Sequence, residues 1–193
     1  MFSEWQFSWH DIIFVVITLL WWAEFRFFPS RKKEDENREE KSFQLILAAI
    51  LTTILLSIIF TLASIGKVDY RWQFHFKIIG LVIYGLGLIL RYWSSILLGK
   101  YFTRSVSVES DQKLVSNGPY RLIRHPLYLG LLLLTSGVPI YLGNIPAVLF
   151  GLIFLLYALS RRIEFEEKLL EKSLGEKYRN WKKERAKLIP FIY

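Results

Sequence analysis

Several hydrogen-bonding residues between positions 113 and 128 have the types and spacing to bind a polar ligand. The segment reads Lys-Leu-Val-Ser-Asn-Gly-Pro-Tyr-Arg-Leu-Ile-Arg-His-Pro-Leu-Tyr. Gly118-Pro119 predicts a turn, and Pro126 predicts the first turn of a helix. A histidine at that helix start faces the positive end of the helix dipole, which favours neutral imidazole with one donor and one acceptor. His125 is therefore a candidate ligand-binding residue, and the alternative is that it only caps the helix.

A second group of charged residues, at positions 161–167, directly follows the longest uncharged stretch of the chain. Arg162 and Glu166 are four residues apart and share one face of a predicted helix. An exposed pair at this spacing contributes only roughly a few tenths of a kcal/mol and usually does nothing else. Arg162, however, lies at the predicted lipid boundary, where an unpaired guanidinium is costly. Its position predicts that it binds an anion, either Glu166 or a substrate.

The elements that position these residues are predicted to be membrane helices. Hydrophobic residues make up 53% of the 193 positions, and residues 42–66 and 126–160 contain no charge. A run of about 18 or more such residues is typical of a membrane span and excludes an ordinary soluble protein. The apolar segments are 12–28, one within 42–66, 78–99, 127–142 and 147–160. We therefore predict an all-α integral-membrane fold of about five transmembrane helices, the last two a tilted hairpin, plus a cytoplasmic amphipathic C-terminal helix.

The basic residues predict the orientation in the membrane. Of the 25 Lys and Arg, 21 flank the segments on one side, Arg91 lies within a segment, and three lie on the other side: Lys67, Arg71 and Lys77. By the positive-inside rule the N-terminus is outside, while the 100–125 loop and the C-terminus share the cytoplasm. Both groups of candidate residues then meet at one membrane face. The net charge of +8 is explained by this bias, so we expect the protein to contact the lipid bilayer rather than nucleic acid. We also expect a monomer.

Three further features shape the prediction. The chain has no cysteine, which excludes a thiolate nucleophile and a zinc–thiolate site. Apolar residues beyond 160 recur at helical spacing and predict that the fifth helix continues into the cytoplasm until Pro190, the alternative being a surface-lying tail helix. Arg91 interrupts an apolar segment, and it is either functional or extends toward the cytoplasmic end of its helix.

We divide the chain into 1–100, with three spans, and 101–193, with the loop, hairpin and catalytic helix.

Three motifs of the chain, in the order in which they occur, resemble those of the isoprenylcysteine carboxyl methyltransferase family and of the related phospholipid N-methyltransferases. The matching motifs are Leu-Val-x-x-Gly-Pro-Tyr-Arg-x-x-Arg-His-Pro-x-Tyr at 114–128, Arg-x-x-x-Glu-Glu at 162–167 and Leu-Gly-Glu-x-Tyr at 174–178. The resemblance covers about 101–190, and the first helices match in topology only. It implies an integral-membrane enzyme that uses S-adenosylmethionine.

The resemblance also implies a cofactor pocket and an acceptor site. The implied S-adenosylmethionine contacts are Ser107, Gln112, Lys113, Leu114, Val115, Tyr120, His125, Pro126, Leu127, Tyr128 and Glu166, without a metal. Gln112 stands where family members often carry histidine, and glutamine can still form a hydrogen bond. The resemblance places Arg162 on the acceptor side as the catalytic residue.

The acceptor that we expect is the carboxylate of a lipophilic, isoprenylcysteine-like molecule or prenylated protein. A carboxylate is already a nucleophile, Arg162 can orient it with two hydrogen bonds, and a water-poor site favours a transition state in which opposite charges cancel. A phospholipid amine is the alternative, and it requires a base, for which His125 and Glu167 are the nearby candidates. A nicotinamide-dependent membrane lipid reductase is a further alternative, although such reductases are much longer chains. A non-enzymatic membrane scaffold leaves the two converging motifs unexplained.

Overall fold

The computed structural model describes residues 8–27, 37–99, 102 and 114–189, and these residues form a helical bundle. In chain order the helices are α1 (Trp9–Phe27), α2 (Asn37–Leu62), α3 (Tyr70–Leu98), α4 (Pro126–Tyr141), α5 (Ile145–Leu174) and α6 (Glu176–Lys183), with a 3-10 helix at Gly118–Arg121. The predicted all-α fold is confirmed. Within the described ranges α3, α5 and the Lys41–Leu62 part of α2 are long and apolar enough to cross a membrane, and α4 is apolar but shorter. The chain is a membrane protein with several apolar helices.

Helix boundaries differ from the predicted apolar segments where polar residues extend a helix beyond its apolar part. Helix α3 begins at Tyr70 because the carboxylate of Asp69 accepts a hydrogen bond from the backbone N–H of Arg71 at 3.0 Å. Such side-chain caps satisfy N–H groups that have no partner within the helix. Helix α1, predicted as a span, has 19 residues and carries Asp11 and Arg26 in its end turns.

The hydrophobic core lies where the apolar helices meet, and it contains residues of α1 to α5. Its members include Trp21, Ile46, Tyr84, Leu134 and Leu155. Large apolar side chains on the outward faces remain exposed, as at Leu51 of α2, Ile89 of α3 and Ile153 of α5. This distribution suits a protein whose outer surface contacts lipid rather than water.

Helices α3 and α4 approach each other so closely that only glycine fits at the contact. A Cβ atom at Gly87 of α3 would lie 2.7 Å from the backbone nitrogen of Leu134 on α4. A Cβ atom at Gly130 of α4 would lie 2.9 Å from the carbonyl oxygen of Gly87. Small residues at such interfaces allow close van der Waals packing in membranes, where lipid tails are as apolar as the side chains. The start of α4 is thereby held against the C-terminal half of α3.

The predicted hairpin turn between α4 and α5 is present at 142–144. Gly143 has a φ of +65°, a conformation that glycine adopts without steric cost. The side chain of Asn144 caps α5 by accepting from the N–H of Ala147 at 3.1 Å, and it donates to the carbonyl of Ile65 at 3.0 Å. The turn is therefore fixed against the loop that connects α2 to α3.

The expectation of one cytoplasmic helix running to Pro190 is wrong. Helix α5 continues without a break from the apolar part into the charged part, as predicted, but it ends at Leu174. Gly175 has a φ of +54°, which ends the helix, and α6 begins directly after it. Helix α6 ends at Lys183, and Pro190 lies outside the described residues.

The segment after α6 runs alongside the loop that precedes α4. The N–H of Ala186 donates to the carbonyl of Leu122 at 3.0 Å, and the N–H of Arg124 donates to the carbonyl of Ala186 at 2.9 Å. Arg185 adds a hydrogen bond from Nε to the carbonyl of Tyr120 at 3.0 Å, and Leu188 is buried. These bonds fix the loop that carries the first candidate motif.

Candidate active site

The loop and the first turn of α4 position His125 at the end of the bundle where α4 begins. Pro126 occupies the first turn of α4, as its fixed φ favours, and His125 is the N-cap residue. The imidazole makes no capping hydrogen bond. It is instead buried, with Nε2 3.2 Å from Oε1 of Glu167 and Nδ1 3.8 Å from Oε2 of Glu166. The alternative of a purely capping histidine is therefore wrong.

Tyr128 joins the two charged residues that the sequence placed on one face of α5. Its hydroxyl donates to Oε2 of Glu166 at 2.8 Å and accepts from Nε of Arg162 at 3.3 Å. The Tyr128 ring also stacks against the imidazole of His125, with 5.6 Å between the ring centroids. Two motifs far apart in the sequence therefore form one continuous polar group.

Arg162 is buried to 3% exposure at the point where the apolar part of α5 ends. Its Nη1 donates to the hydroxyl of Ser42 on α2 at 2.8 Å. The guanidinium is thus held by an α4 residue and an α2 residue at the same time. This fixes the plane of the guanidinium, which determines the direction in which it can form paired hydrogen bonds.

The carboxylate of Glu167 contacts three side chains, each of which is a cation or a hydrogen-bond donor. Its Oε1 lies 3.2 Å from His125 Nε2 and 2.8 Å from Arg124 Nη1, and its Oε2 lies 3.2 Å from Lys182 Nζ. Because an ionised carboxylate only accepts, the His125 nitrogen that faces it carries the proton. Both oxygens of Glu167 are therefore occupied by groups from the loop before α4 and from α6.

Tyr120 lies beside this group with its side chain buried to 5% exposure. Burial raises the pKa of its hydroxyl well above the usual value, the nearby charge of Glu166 raises it further, and Arg91 opposes the shift. The hydroxyl lies beside that of Ser94 but makes no hydrogen bond of ordinary geometry to any group that the structure describes. A buried hydroxyl without a partner costs free energy unless a ligand or water satisfies it.

Comparison with known proteins identifies the family. The model of the "Isoprenylcysteine carboxyl methyltransferase (ICMT) family" matches residues 78–172. The chain is 31% identical over 146 residues to protein-S-isoprenylcysteine O-methyltransferase B of Arabidopsis thaliana, with 72% of each chain covered. This chain belongs to the isoprenylcysteine carboxyl methyltransferase family. The resemblance inferred from the motifs is confirmed.

Two further comparisons define the extent of the likeness. The chain is 32% identical over 117 residues to a probable protein-S-isoprenylcysteine O-methyltransferase of Oryza sativa subsp. indica, and it spans 61% of that protein's length. The solved structure of the eukaryotic intramembrane Ras methyltransferase ICMT matches with a TM-score of 0.68 at 22% identity, covering 94% of this chain and 64% of that one. The shared fold therefore extends to the N-terminal helices, beyond the residues that match the family model.

The structure brings together five of the residues that the family resemblance implied: Tyr120, His125, Tyr128, Arg162 and Glu166. Pro126 begins α4 and is buried, and the carbonyl of Leu127 accepts a hydrogen bond from Arg91 at 3.2 Å. Leu114 and Val115 are half-buried in the segment before α4. Ser107, Gln112 and Lys113 lie outside the described residues.

Other polar residues of the site were not predicted from the sequence. Ser42 and Lys182 have no local motif that distinguishes them from ordinary residues at helix ends. Glu24 did carry a signal, because it is a second charge in an apolar segment and is opposite in sign to Arg91. These two side chains form an ion pair, so Arg91 does not extend freely toward the cytoplasmic end of its helix.

Proposed function

We propose that this protein is an S-adenosylmethionine-dependent methyltransferase that methylates the carboxylate of a lipophilic, isoprenylcysteine-like acceptor at the cytoplasmic face of a membrane. The observation that carries the proposal is the chain of contacts Arg162–Tyr128–Glu166. It joins a buried guanidinium and a carboxylate at the end of an uncharged helix segment. Membership of the isoprenylcysteine carboxyl methyltransferase family supports the same reaction.

The residues present fit the proposed cofactor. The buried Tyr120 hydroxyl offers a hydrogen bond, and the Glu166 carboxylate, with its side chain 28% exposed, offers a partner for a cationic amino group. When bound, S-adenosylmethionine supplies an electrophilic methyl group on a cationic sulfonium. The residues that would hold it are those named above at 114–115, 120, 125–128 and 166, together with Ser107, Gln112 and Lys113. The rings of Tyr120 and Tyr128 can contact a cation through their faces.

Arg162 is the residue that we assign to the acceptor. A guanidinium presents parallel N–H groups that match the two oxygens of a carboxylate. Its location at the end of the apolar part of α5 suits an acceptor whose hydrocarbon part stays in the bilayer while its charged end reaches the cytoplasmic surface. Tyr128 and Ser42 orient the guanidinium before the acceptor binds, which lowers the cost of alignment.

The surroundings of Glu167 favour a carboxylate acceptor over an amine. An ammonium group must lose a proton before it can accept a methyl group, so an amine acceptor requires a base near Arg162. Both oxygens of Glu167 contact cations or the imidazole of His125, so Glu167 is not free to act as that base, while Nδ1 of His125 lies 3.8 Å from Oε2 of Glu166. A carboxylate acceptor requires no base, and this agrees with the observed geometry.

The test is methyl transfer from labelled S-adenosylmethionine to a panel of prenylcysteine, fatty-acid, thiol and phospholipid acceptors in detergent. We expect alkali-labile methyl esters of the prenylcysteine. The rate should be nearly constant between about pH 6 and 8, since an exposed carboxyl titrates near ~4 and an arginine neighbour lowers its pKa further.

The matched variants are Arg162→Lys and Arg161→Lys. An ammonium cannot form the planar pair of hydrogen bonds, so Arg162→Lys should retain little activity. Arg161 is largely exposed, and Arg161→Lys should behave as the wild type. Methylated phosphatidylethanolamine among the products, with a rate that rises about tenfold per pH unit below the pKa of the amine, would contradict the carboxylate assignment and support a phospholipid N-methyltransferase.

A further inference from the structure

A buried ion pair between α1 and α3 lies next to the candidate active site and has no part in the chemistry proposed above. Nε of Arg91 donates to Oε2 of Glu24 at 2.7 Å, and Nη2 of Arg91 contacts the other carboxylate oxygen. The Glu24 side chain is fully buried, and that of Arg91 is 12% exposed. An ion pair removed from water in this way usually contributes little net stability compared with apolar residues of similar volume. Stability alone is therefore a weak reason for its presence.

The third nitrogen of the guanidinium points to the site rather than to Glu24. Nη1 of Arg91 donates to the carbonyl of Leu127 at 3.2 Å. Leu127 lies between His125 and Tyr128 in the first turn of α4. The stem of Arg91 crosses α4 at Gly130, where a Cβ atom would lie 2.6 Å from Cγ of Arg91. Arg91 thus contacts α4 at two positions three residues apart, a little less than one helical turn.

We propose that Glu24 and Arg91 form a positioning device that holds the first turn of α4, and with it His125 and Tyr128, in the arrangement that binds the cofactor. Glu24 fixes two nitrogens of the guanidinium, so the third can donate only in the direction of the Leu127 carbonyl. The proposal rests on the proposed function, because the groups that it positions are the expected S-adenosylmethionine contacts. Glu24 lies on α1, outside the residues that match the family model, so the device gives the N-terminal helix a direct connection to the site.

The chain contains a matched control for this pair. Asp11 and Lys77 also join α1 to α3, with 3.3 Å between Lys77 Nζ and Asp11 Oδ1. Asp11 precedes Glu24 by thirteen residues of one helix, which places the two pairs roughly 20 Å apart along its axis. The second pair therefore links the same two helices without any contact to the first turn of α4.

The experiment compares paired substitutions in the full-length protein in detergent. Glu24→Leu with Arg91→Met removes both charges of the pair together, so that neither member is left buried without the other. Asp11→Asn with Lys77→Met removes the control pair while keeping an acceptor for the Tyr141 hydroxyl, which contacts Asp11. S-adenosylmethionine affinity is measured by calorimetry, acceptor KM and kcat by methyl transfer, and folding by thermal unfolding. Arg91→Lys serves as a second variant that keeps the charge but cannot reach Glu24 and Leu127 together.

We expect the Glu24–Arg91 double variant to fold and to bind S-adenosylmethionine about ten- to hundredfold more weakly, with acceptor KM little changed. The control double variant should retain wild-type cofactor affinity, and Arg91→Lys should lose affinity in the same way as the first double variant. If the double variant does not fold, Arg91→Lys decides the result. Unchanged affinity in the folded variants, or an equal loss in the control pair, would overturn the positioning role. Absence of binding by the wild type would instead refute the proposed function itself.

Discussion

Tyr128 separates two oppositely charged side chains that would otherwise pair with each other. Arg162 and Glu166 are spaced for a direct contact along α5, but the Tyr128 hydroxyl donates to one and accepts from the other. A hydroxyl can do this because it is both a donor and an acceptor. The cation and the anion are thus held in fixed positions on either side of one oxygen atom, and under the proposed function each binds a different ligand.

This separation predicts different effects for the two residues. Glu166→Gln should weaken S-adenosylmethionine binding by about tenfold or more, since the amide of glutamine carries no charge and binds a cationic amino group less strongly than a carboxylate does. Arg162→Ala should leave that affinity within about twofold of the wild type and abolish transfer, because it removes an interaction made with the acceptor. Calorimetric titration and a transfer assay measure the two quantities. Glu164→Gln is the control, since Glu164 lies on the same helix, is half exposed and pairs with Lys168. An equal loss of S-adenosylmethionine binding in Glu166→Gln and Arg162→Ala would indicate that Arg162 and Glu166 form a purely structural pair.

Among the elements, α3 and α4 form the contact that most constrains the site, because α4 begins at the candidate cofactor residues. The contact depends on glycines that face the backbone of the opposing helix. Gly87 has backbone atoms of α4 at 2.7 and 2.8 Å from the place of a Cβ atom, whereas Gly85 has only a side-chain atom of Ile17 at 3.9 Å. Two glycines of one helix, close in sequence, therefore have opposite tolerance for a methyl group.

We predict that Gly87→Ala lowers the free energy of unfolding by about 1–3 kcal/mol, the usual cost of forcing extra volume into a packed contact. Gly85→Ala should be neutral or should stabilise α3 by up to about 1 kcal/mol, since alanine is the better helix former. Thermal unfolding in detergent measures both changes. A decrease of similar size in the two variants would show that the close approach of α3 and α4 is not the cause.

The elements were predictable from the sequence to the extent that charge and hydropathy define them. The uncharged stretches identified α2, α4 and the apolar part of α5, and the Gly-Asn-Ile-Pro sequence identified the hairpin turn. The break at Gly175 was missed because its flanking residues continue a helical apolar pattern, and a single glycine only weakens such a pattern. The pairing of Glu24 with Arg91 depends on which helices are neighbours, and that is a property of packing rather than of periodicity. The sequence predicted that the two motifs lie at one end of the molecule. It did not predict that Tyr128 contacts both Arg162 and Glu166, which only the structure shows.

In the whole molecule, two sets of backbone contacts define the two ends of the bundle. At one end Lys67, in the loop after α2, pairs with Asn144 of the hairpin turn. At the other end Ile123, in the loop before α4, pairs with Ala186 after α6. The second end carries the candidate active site and most of the Lys and Arg that the structure describes. If the bundle crosses a membrane, these two pairs of loops must lie on opposite sides of it.

The distribution of basic residues then predicts which end faces the cytoplasm. Among the described residues only three Lys and Arg, namely Lys67, Arg71 and Lys77, lie at the Lys67 end, so this end should be outside and the Ile123 end inside. The chain has no cysteine, so single cysteines at the exposed positions Lys67 and Asn117 can be labelled without background. We expect a membrane-impermeant maleimide to label Lys67→Cys in intact cells and Asn117→Cys only after permeabilisation, with equal labelling of both in detergent as the control. Labelling of Asn117→Cys from outside would place the candidate site on the face that lacks cytoplasmic cofactor, and the proposed reaction could not then take place there.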